Sequence, residues 1–156
     1  MTPNPRPQQS GASAQRLNDA MKRLRARLRA ESGQHATGVT PTQLVILASV
    51  VRQGPVTAAR LAAQEHVSAQ SIAQSLAVLK AAGLIHSAPD PNDGRKKLIS
   101  AAPSATELVD KLLAGRAAFL ARAIDQVVGP GEREDMEKAI DLLERLADVE
   151  LGADGR

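Results

Sequence analysis

The side chains best suited to chemistry are three consecutive cations, Arg95, Lys96 and Lys97, which follow a segment dense in turn-forming residues. A guanidinium carried on a turn can enter the narrow minor groove of DNA, where negative potential is concentrated, so Arg95 is the first candidate for a nucleic-acid contact. Lys96 and Lys97 are predicted to attract the phosphates of DNA whatever the base sequence. Asp93 is interpreted as a structural partner that orients Arg95.

A second candidate surface lies on a short helix that is predicted to start after Ser68 and to bury one apolar face. The opposite face carries small and amide side chains, Ala69, Gln70, Ala73 and Gln74. An amide of Gln70 or Gln74 can make paired hydrogen bonds with adenine, and an alanine can contact the methyl group of thymine. Ser68 and Ser71 are candidates for binding phosphate, although a cap of the helix explains Ser68 equally well.

The elements that must position these residues are two capped helices and a hairpin. Thr57 and Ser68 are typical N-caps, and Gly83 stands where a left-handed C-terminal residue belongs, which predicts a helix-turn-helix. Beyond Gly83 two short β-like segments flank the turn-rich residues 89–94, which predicts a β-hairpin, or wing. In a winged helix-turn-helix the second helix enters the major groove, and the hairpin reaches the minor groove or the phosphates.

Longer amphipathic helices are predicted on both sides of this lobe, so the fold class is mostly α with a small β-wing. The apolar stripe of the first helix can rest on its own domain or on a second subunit. The predicted segments are a flexible tail at 1–12, an N-terminal helix at 13–36, the winged lobe at 37–102, C-terminal helices at 103–150 and a flexible tail at 151–156.

The net charge of +3 conceals an uneven distribution along the chain. Residues 1–37 hold seven basic and two acidic side chains and residues 38–100 hold six and three, whereas residues 101–156 hold seven and twelve. A chain that is basic in its first two thirds can present one face to an anionic partner, and double-stranded DNA is the first candidate.

Composition excludes several other classes of function. Cysteine is absent, which excludes disulfides, thiolate zinc sites and a catalytic thiol. Phe119 is the only aromatic residue, so stacking on bases is disfavoured. No apolar run is long enough to cross a membrane and no signal peptide is visible, so we expect a soluble cytoplasmic protein without membrane contact.

The motifs together resemble those of the multiple antibiotic resistance regulator (MarR) family of bacterial transcriptional regulators. The similarity lies in Thr40-Pro41-Thr42-Gln43, in residues 57–62, in residues 79–85 and in the wing sequence 90–95. The resemblance implies a homodimer joined by its first and last two helices, with two lobes on a palindromic operator (an inverted repeat). Such regulators are usually repressors released by a small-molecule effector, which would bind between dimerisation helices and lobe, with Met21 and His35 nearby.

Several positions depart from the family pattern. Ser87 and Gly94 stand where arginine is common, while Ala101, Ala102 and Ala105 replace a usual Leu-Thr pair and a later glycine. Fewer cations imply weaker anchoring to phosphate. The departures keep open an alternative function, a winged-helix adaptor that binds other proteins and does not bind DNA.

Catalysis and cofactor binding are not predicted. The chain has no phosphate-binding glycine loop and no nucleophile signature, so we do not expect an enzyme. His35, His66 and His86 are far apart in the sequence and lack acidic partners at ligand spacing, so neither a metal site nor a cofactor is expected.

Overall fold

The structure, a computed structural model, describes residues 6–150, and in this range it is helical apart from one antiparallel hairpin. The elements are α1 (Arg6–Glu31), α2 (Pro41–Gln53), α3 (Ala58–Gln64), α4 (Ala69–Ala81), β1 (Ile85–Asp90), β2 (Asp93–Ala101), α5 (Pro103–Val127) and α6 (Arg133–Ala147). Short 3-10 helices occupy Gln34–Thr37 and Pro130–Glu132. The contacts divide the chain into two units, with the boundary between residues 117 and 118 inside α5. None of the helices within residues 6–150 has the length and hydropathy needed to cross a bilayer.

The first helix begins earlier than predicted. It starts at Arg6, so the expectation of a flexible tail is wrong for residues 6–12, while residues 1–5 and the expected tail at 151–156 lie outside the described residues. Pro7 is compatible with this start because backbone N–H groups in the first turn of a helix have no acceptor within the helix. Proline there therefore removes no intrahelical hydrogen bond.

The first helix ends within the predicted N-terminal segment 13–36. It ends at Glu31, and Gly33 then adopts a φ of +73°, which reverses the chain into the 3-10 helix that contains Gln34. Gly38, with a φ of +71°, ends that 3-10 helix. Two left-handed residues within six positions explain why one continuous helix cannot form here, since only glycine adopts this conformation readily.

Side-chain caps define the starts of the three lobe helices, including the two predicted at Thr57 and Ser68. The Oγ1 atom of Thr40 accepts from the backbone N–H of Gln43 at 3.2 Å, and the Oε1 atom of Gln43 accepts from the backbone N–H of Thr40 at 3.0 Å. Thr57 caps α3, and Ser68 caps α4 by accepting from the backbone N–H of Ser71 at 3.1 Å. Each cap satisfies a helix N–H that otherwise lacks a partner.

The core is aliphatic, and it lies between α2, the helix-turn-helix, the wing and the first half of α5. Its fully or almost fully buried side chains include Ile46, Leu47, Val50, Leu61, Ile72, Leu79, Ile85, Ile99, Val109 and Leu112. Complete burial of one such side chain is worth about 1.5–3 kcal/mol. Leu76 of α4 is only partly buried, whereas Ser75 of the same helix is buried.

The wing is longer than predicted, and its base is joined to the helix-turn-helix. The strands pair from Ile85 opposite Ala101 as far as Pro89 opposite Lys97. Val56, between α2 and α3, exchanges two backbone hydrogen bonds with Ile99, at 3.0 and 2.8 Å. The base of the hairpin is therefore attached to the segment between α2 and α3.

We expect the substitution His66→Gly to stabilise the fold. His66, in the turn between α3 and α4, has a φ of +51° and is the only non-glycine residue with positive φ among those described. The left-handed conformation costs about 1–2 kcal/mol for an L-residue, partly offset by the greater freedom of glycine in the unfolded chain. Urea denaturation should show the free energy of unfolding rising by up to about 1 kcal/mol.

The neighbouring substitution Glu65→Gly is the matched control. Glu65 has a φ of −90°, which needs no glycine, so this change should lower the free energy of unfolding. Destabilisation of similar size by both substitutions would contradict the expectation for His66.

Candidate nucleic-acid interface

The outer face of α4 carries the residues that the sequence singled out. Ala69, Gln70, Ala73 and Gln74 are all exposed, whereas Ile72 and Leu79 on the inner face are each only 1% exposed. The helix is thus divided into a buried aliphatic face and an outer face of short or amide side chains. The structure places the four outward residues together, as expected from a period of 3.6 residues.

The two serines at the start of α4 differ in their surroundings. Ser68 is exposed, and its hydroxyl oxygen accepts the capping hydrogen bond described above, while Ser71 is half-buried. A hydroxyl that accepts one hydrogen bond can still donate its own proton. Ser68 can therefore cap the helix and donate to an anion at the same time.

The tip of the wing carries the predicted cations on exposed positions. Arg95, Lys96 and Lys97 are all exposed on β2. The Oδ1 atom of Asp93 accepts from the backbone N–H of Arg95 at 3.1 Å, and its Oδ2 atom lies 3.9 Å from Lys96 Nζ. Asp93 thus holds the backbone at Arg95. The exposed pair with Lys96 contributes little to stability, because surface ion pairs are worth about 0–1 kcal/mol.

A further cation lies at the base of the wing and was missed from the sequence. Lys80, in the last turn of α4, donates from Nζ to Ser87 Oγ at 3.3 Å. Ser87 is one of the positions where the family commonly has arginine. The hydrogen bond places the Lys80 cation beside that position, and no local sequence pattern connects the two residues.

Met21 and His35, the two residues predicted near an effector pocket, do not line the same cavity. His35 is exposed and lines a cavity of about 260 Å³ with Arg29, Gln34, Val39 and Pro41 among its neighbours. Met21 is 36% exposed on α1 and is not among the residues that line this cavity.

An adjoining cavity of about 170 Å³ contains a concentration of arginines. It is lined by Arg25, Leu28, Arg29, Pro41, Val45 and Arg116, and it shares Arg29 and Pro41 with the larger cavity. The lining residues are three arginines and three apolar residues, and no acidic residue is among them. Such a lining suits a small molecule with an apolar body and one negative charge.

Next to this cavity, a buried amide joins three parts of the chain. Gln34 is 2% exposed, its Oε1 accepts from Arg116 Nη2 at 2.7 Å, and its Nε2 donates to the backbone oxygen of Val39 at 3.3 Å. Sequence patterns could not have predicted this contact, because Gln34 and Arg116 are 82 residues apart.

Comparison with known proteins relates the chain to transcriptional regulators. A sequence model of the MarR family matches residues 37–96. An HTH-type transcriptional regulator of Mycobacterium tuberculosis is 32% identical over 132 residues, which cover 85% of this chain and 90% of the relative.

Solved structures show the same likeness. A Pseudomonas aeruginosa protein described as a transcriptional regulator is 30% identical, with a TM-score of 0.76 and coverage of 91% of this chain and 98% of its own. The structure of Bordetella bronchiseptica BpsR, described in terms of the regulation of its DNA binding by 6-hydroxynicotinic acid, is 22% identical, with a TM-score of 0.62 and coverage of 85% and 94%.

We expect Ser68→Ala to lower the free energy of unfolding by about 1 kcal/mol, because the capping hydrogen bond to Ser71 is lost. Ser68→Asp should retain the stability of the native cap, since a carboxylate accepts the same hydrogen bond and favours the positive end of the helix. Urea denaturation of both variants measures the difference. Equal stability of Ser68→Ala and the unmodified protein would argue against a capping role.

Proposed function

The chain belongs to the MarR family and is a DNA-binding transcriptional regulator rather than an enzyme, and we propose that it is a homodimeric repressor of a palindromic operator. The observation that carries this proposal is the pairing of two exposed surfaces in one winged lobe. These are the outer face of α4 and the cations of the wing tip, Arg95, Lys96 and Lys97. The adaptor alternative is disfavoured because the relatives are described as transcriptional regulators.

In the proposed complex α4 lies in the major groove. Its short side chains permit a close approach, and the amides of Gln70 and Gln74 bond to adenine edges. Arg95 enters the adjacent minor groove from the wing tip, where a narrow groove concentrates negative potential. Lys96 and Lys97 add affinity for phosphate that is independent of sequence. Ser68 and Ser71 contribute contacts to phosphate at the start of α4.

The homodimer is supported by apolar side chains that the described chain leaves exposed. Leu142, Leu143 and Leu146 are about half exposed on α6. Exposed apolar surface of this kind marks an interaction site more often than an ordinary surface. A twofold homodimer carries two lobes, so its operator is an inverted repeat with half-sites about 10 base pairs apart.

Control by a small molecule is supported by the arginine-lined cavity of about 170 Å³. A small monocarboxylate with an apolar body matches its lining. BpsR, whose DNA binding is regulated by 6-hydroxynicotinic acid, offers a related case in a structural neighbour. His35 stays a candidate contact from the adjoining cavity, whereas Met21 is not among the residues that line either cavity.

Selection of bound sequences from a random pool of double-stranded DNA tests this function. We expect enrichment of an inverted repeat, with affinity that falls steeply as salt rises, because bound phosphates release counterions. The absence of any enriched sequence at moderate salt would contradict operator recognition and favour the adaptor alternative.

With the selected DNA as ligand, Arg95→Ala should weaken binding by about 1–3 kcal/mol. Fluorescence anisotropy at a fixed salt concentration measures the change. Lys138→Ala is the matched control, since it removes an exposed cation from α6, which carries none of the proposed DNA contacts, and should leave the affinity unchanged. Equal losses in both variants would show that Arg95 acts only through net charge.

Leu143→Glu should shift the protein from dimer towards monomer. A charge in the middle of a desolvated helix contact has no partner and is costly to bury. Sedimentation velocity at micromolar concentration measures the shift, and Glu137→Gln, a substitution of an exposed polar residue on the same helix, is the control. A stable dimer of the Leu143→Glu variant would place the dimer contact elsewhere.

A further inference from the structure

Gln34 connects α5 to the start of the winged lobe. It lies in the four-residue 3-10 helix between the left-handed residues Gly33 and Gly38. One end of its amide is bonded to Arg116 of α5, and the other is bonded to Val39, the residue before the α2 cap Thr40. A single buried side chain therefore links α5 to the residue that precedes α2, in addition to the core packing.

The backbone segments that contain Ser32 and Gly115 are closely packed beside this contact. A Cβ atom on Gly115 would lie 3.3 Å from the Cα atom of Ser32, a tight contact with main chain. Ser32 and Gln34 on one side thus face Gly115 and Arg116 on the other. Because packed protein does not deform smoothly, a break in the Gln34 hydrogen bonds displaces this segment rather than being absorbed locally.

The guanidinium group of Arg116 is only partly hydrogen-bonded in this arrangement. Its Nε atom is buried and has no hydrogen-bond partner among the described residues. An unpaired buried donor raises the free energy of the state that contains it. The same side chain lines the arginine-rich cavity of about 170 Å³, so a second acceptor could reach it from there after a small movement.

We propose that Arg116 is a switch residue that exchanges the amide of Gln34 for the carboxylate of a bound ligand. A carboxylate is a stronger acceptor for guanidinium than an amide, and it can take Nε and one terminal nitrogen together. The exchange satisfies Nε and leaves Gln34 Oε1 buried without its partner. This inference rests on the proposed control of DNA binding by a small molecule, and it identifies how the cavity signals to the lobe.

The signal has a direct route to the DNA-binding surface. Loss of the Arg116 bond frees Gln34, which holds Val39 immediately before the capping box of α2. α2 packs against both α4 and β2, the two elements that carry the proposed DNA contacts. Because coupling between two binding sites is reciprocal, a ligand that weakens operator binding through this route is itself bound more weakly, by the same factor, when the operator is present.

Two substitutions of Gln34 with opposite effects test the switch. Gln34→Met removes the competing acceptor, so benzoate, used as a probe carboxylate, should bind at least fivefold more tightly while the selected operator binds more weakly. Gln34→Glu supplies a charged acceptor that retains Arg116, so benzoate should bind at least fivefold more weakly. Titration calorimetry measures benzoate affinity without DNA, and anisotropy of labelled operator measures DNA affinity.

Controls separate the switch from general damage to the fold. Arg116→Gln should abolish the benzoate response, whereas Lys111→Gln, an exposed residue of α5 with the same change of charge, should retain it. Circular dichroism checks that each variant is folded. A merely structural role for Gln34 would weaken both affinities together.

The outcomes distinguish this inference from the proposed function on which it rests. Equal benzoate affinity in the unmodified protein and both Gln34 variants overturns the switch but leaves ligand control intact. Failure of benzoate to bind the unmodified protein overturns a carboxylate ligand and the switch together. Benzoate affinities that move in opposite directions support the switch even if no operator is found.

Discussion

Burial of the inner face of α4 is the constraint on which the candidate interface depends. Ile72 and Leu79 lie among aliphatic side chains of the core, and this packing decides which side of the helix faces outward. A helix of 13 residues is only marginally stable by itself in water, so its shape and its orientation both come from tertiary contacts. The outer face can consequently be built of short side chains that contribute almost nothing to folding.

The wing depends on a similar anchorage to the core. Val56 pairs with Ile99, and the backbone N–H of Ala102 bonds to the carbonyl of Leu84 at 2.9 Å. A two-stranded hairpin is marginal when isolated, whereas here its base is attached to the core through buried Ile85 and Ile99. The same core thus supports both surfaces that distinguish this lobe.

Local chemistry explains why much of the lobe could be predicted from the sequence. Thr40, Thr57 and Ser68 act through hydrogen bonds to residues three positions ahead, and Gly83 adopts a φ of +71° within the same short range. Caps and left-handed glycines require only neighbours in the chain, so their patterns are visible without a structure. The exposed face of α4 followed from helical periodicity for the same reason.

Contacts between distant residues could not be predicted in this way. The hydrogen bond between Gln34 and Arg116 depends on the path of the whole chain, and neither residue belongs to a motif. The early start of α1 was missed because proline and glycine near the N-terminus suggested a tail, although proline is compatible with the first turn of a helix. Met21 and His35 stay a prediction that came from the family resemblance, and of the two only His35 lines one of the cavities described above.

The alanines on the outer face of α4 have a thermodynamic consequence for any surface that meets them. Alanine has no side-chain rotamers to lose, whereas glutamine loses considerable conformational entropy when it is immobilised. At Ala69 and Ala73 close contact therefore carries no entropic penalty, and at Gln70 and Gln74 it does. The entropic cost of immobilising this face therefore falls on two side chains, while the alanines provide a rigid, smooth surface whose fit is decided by shape.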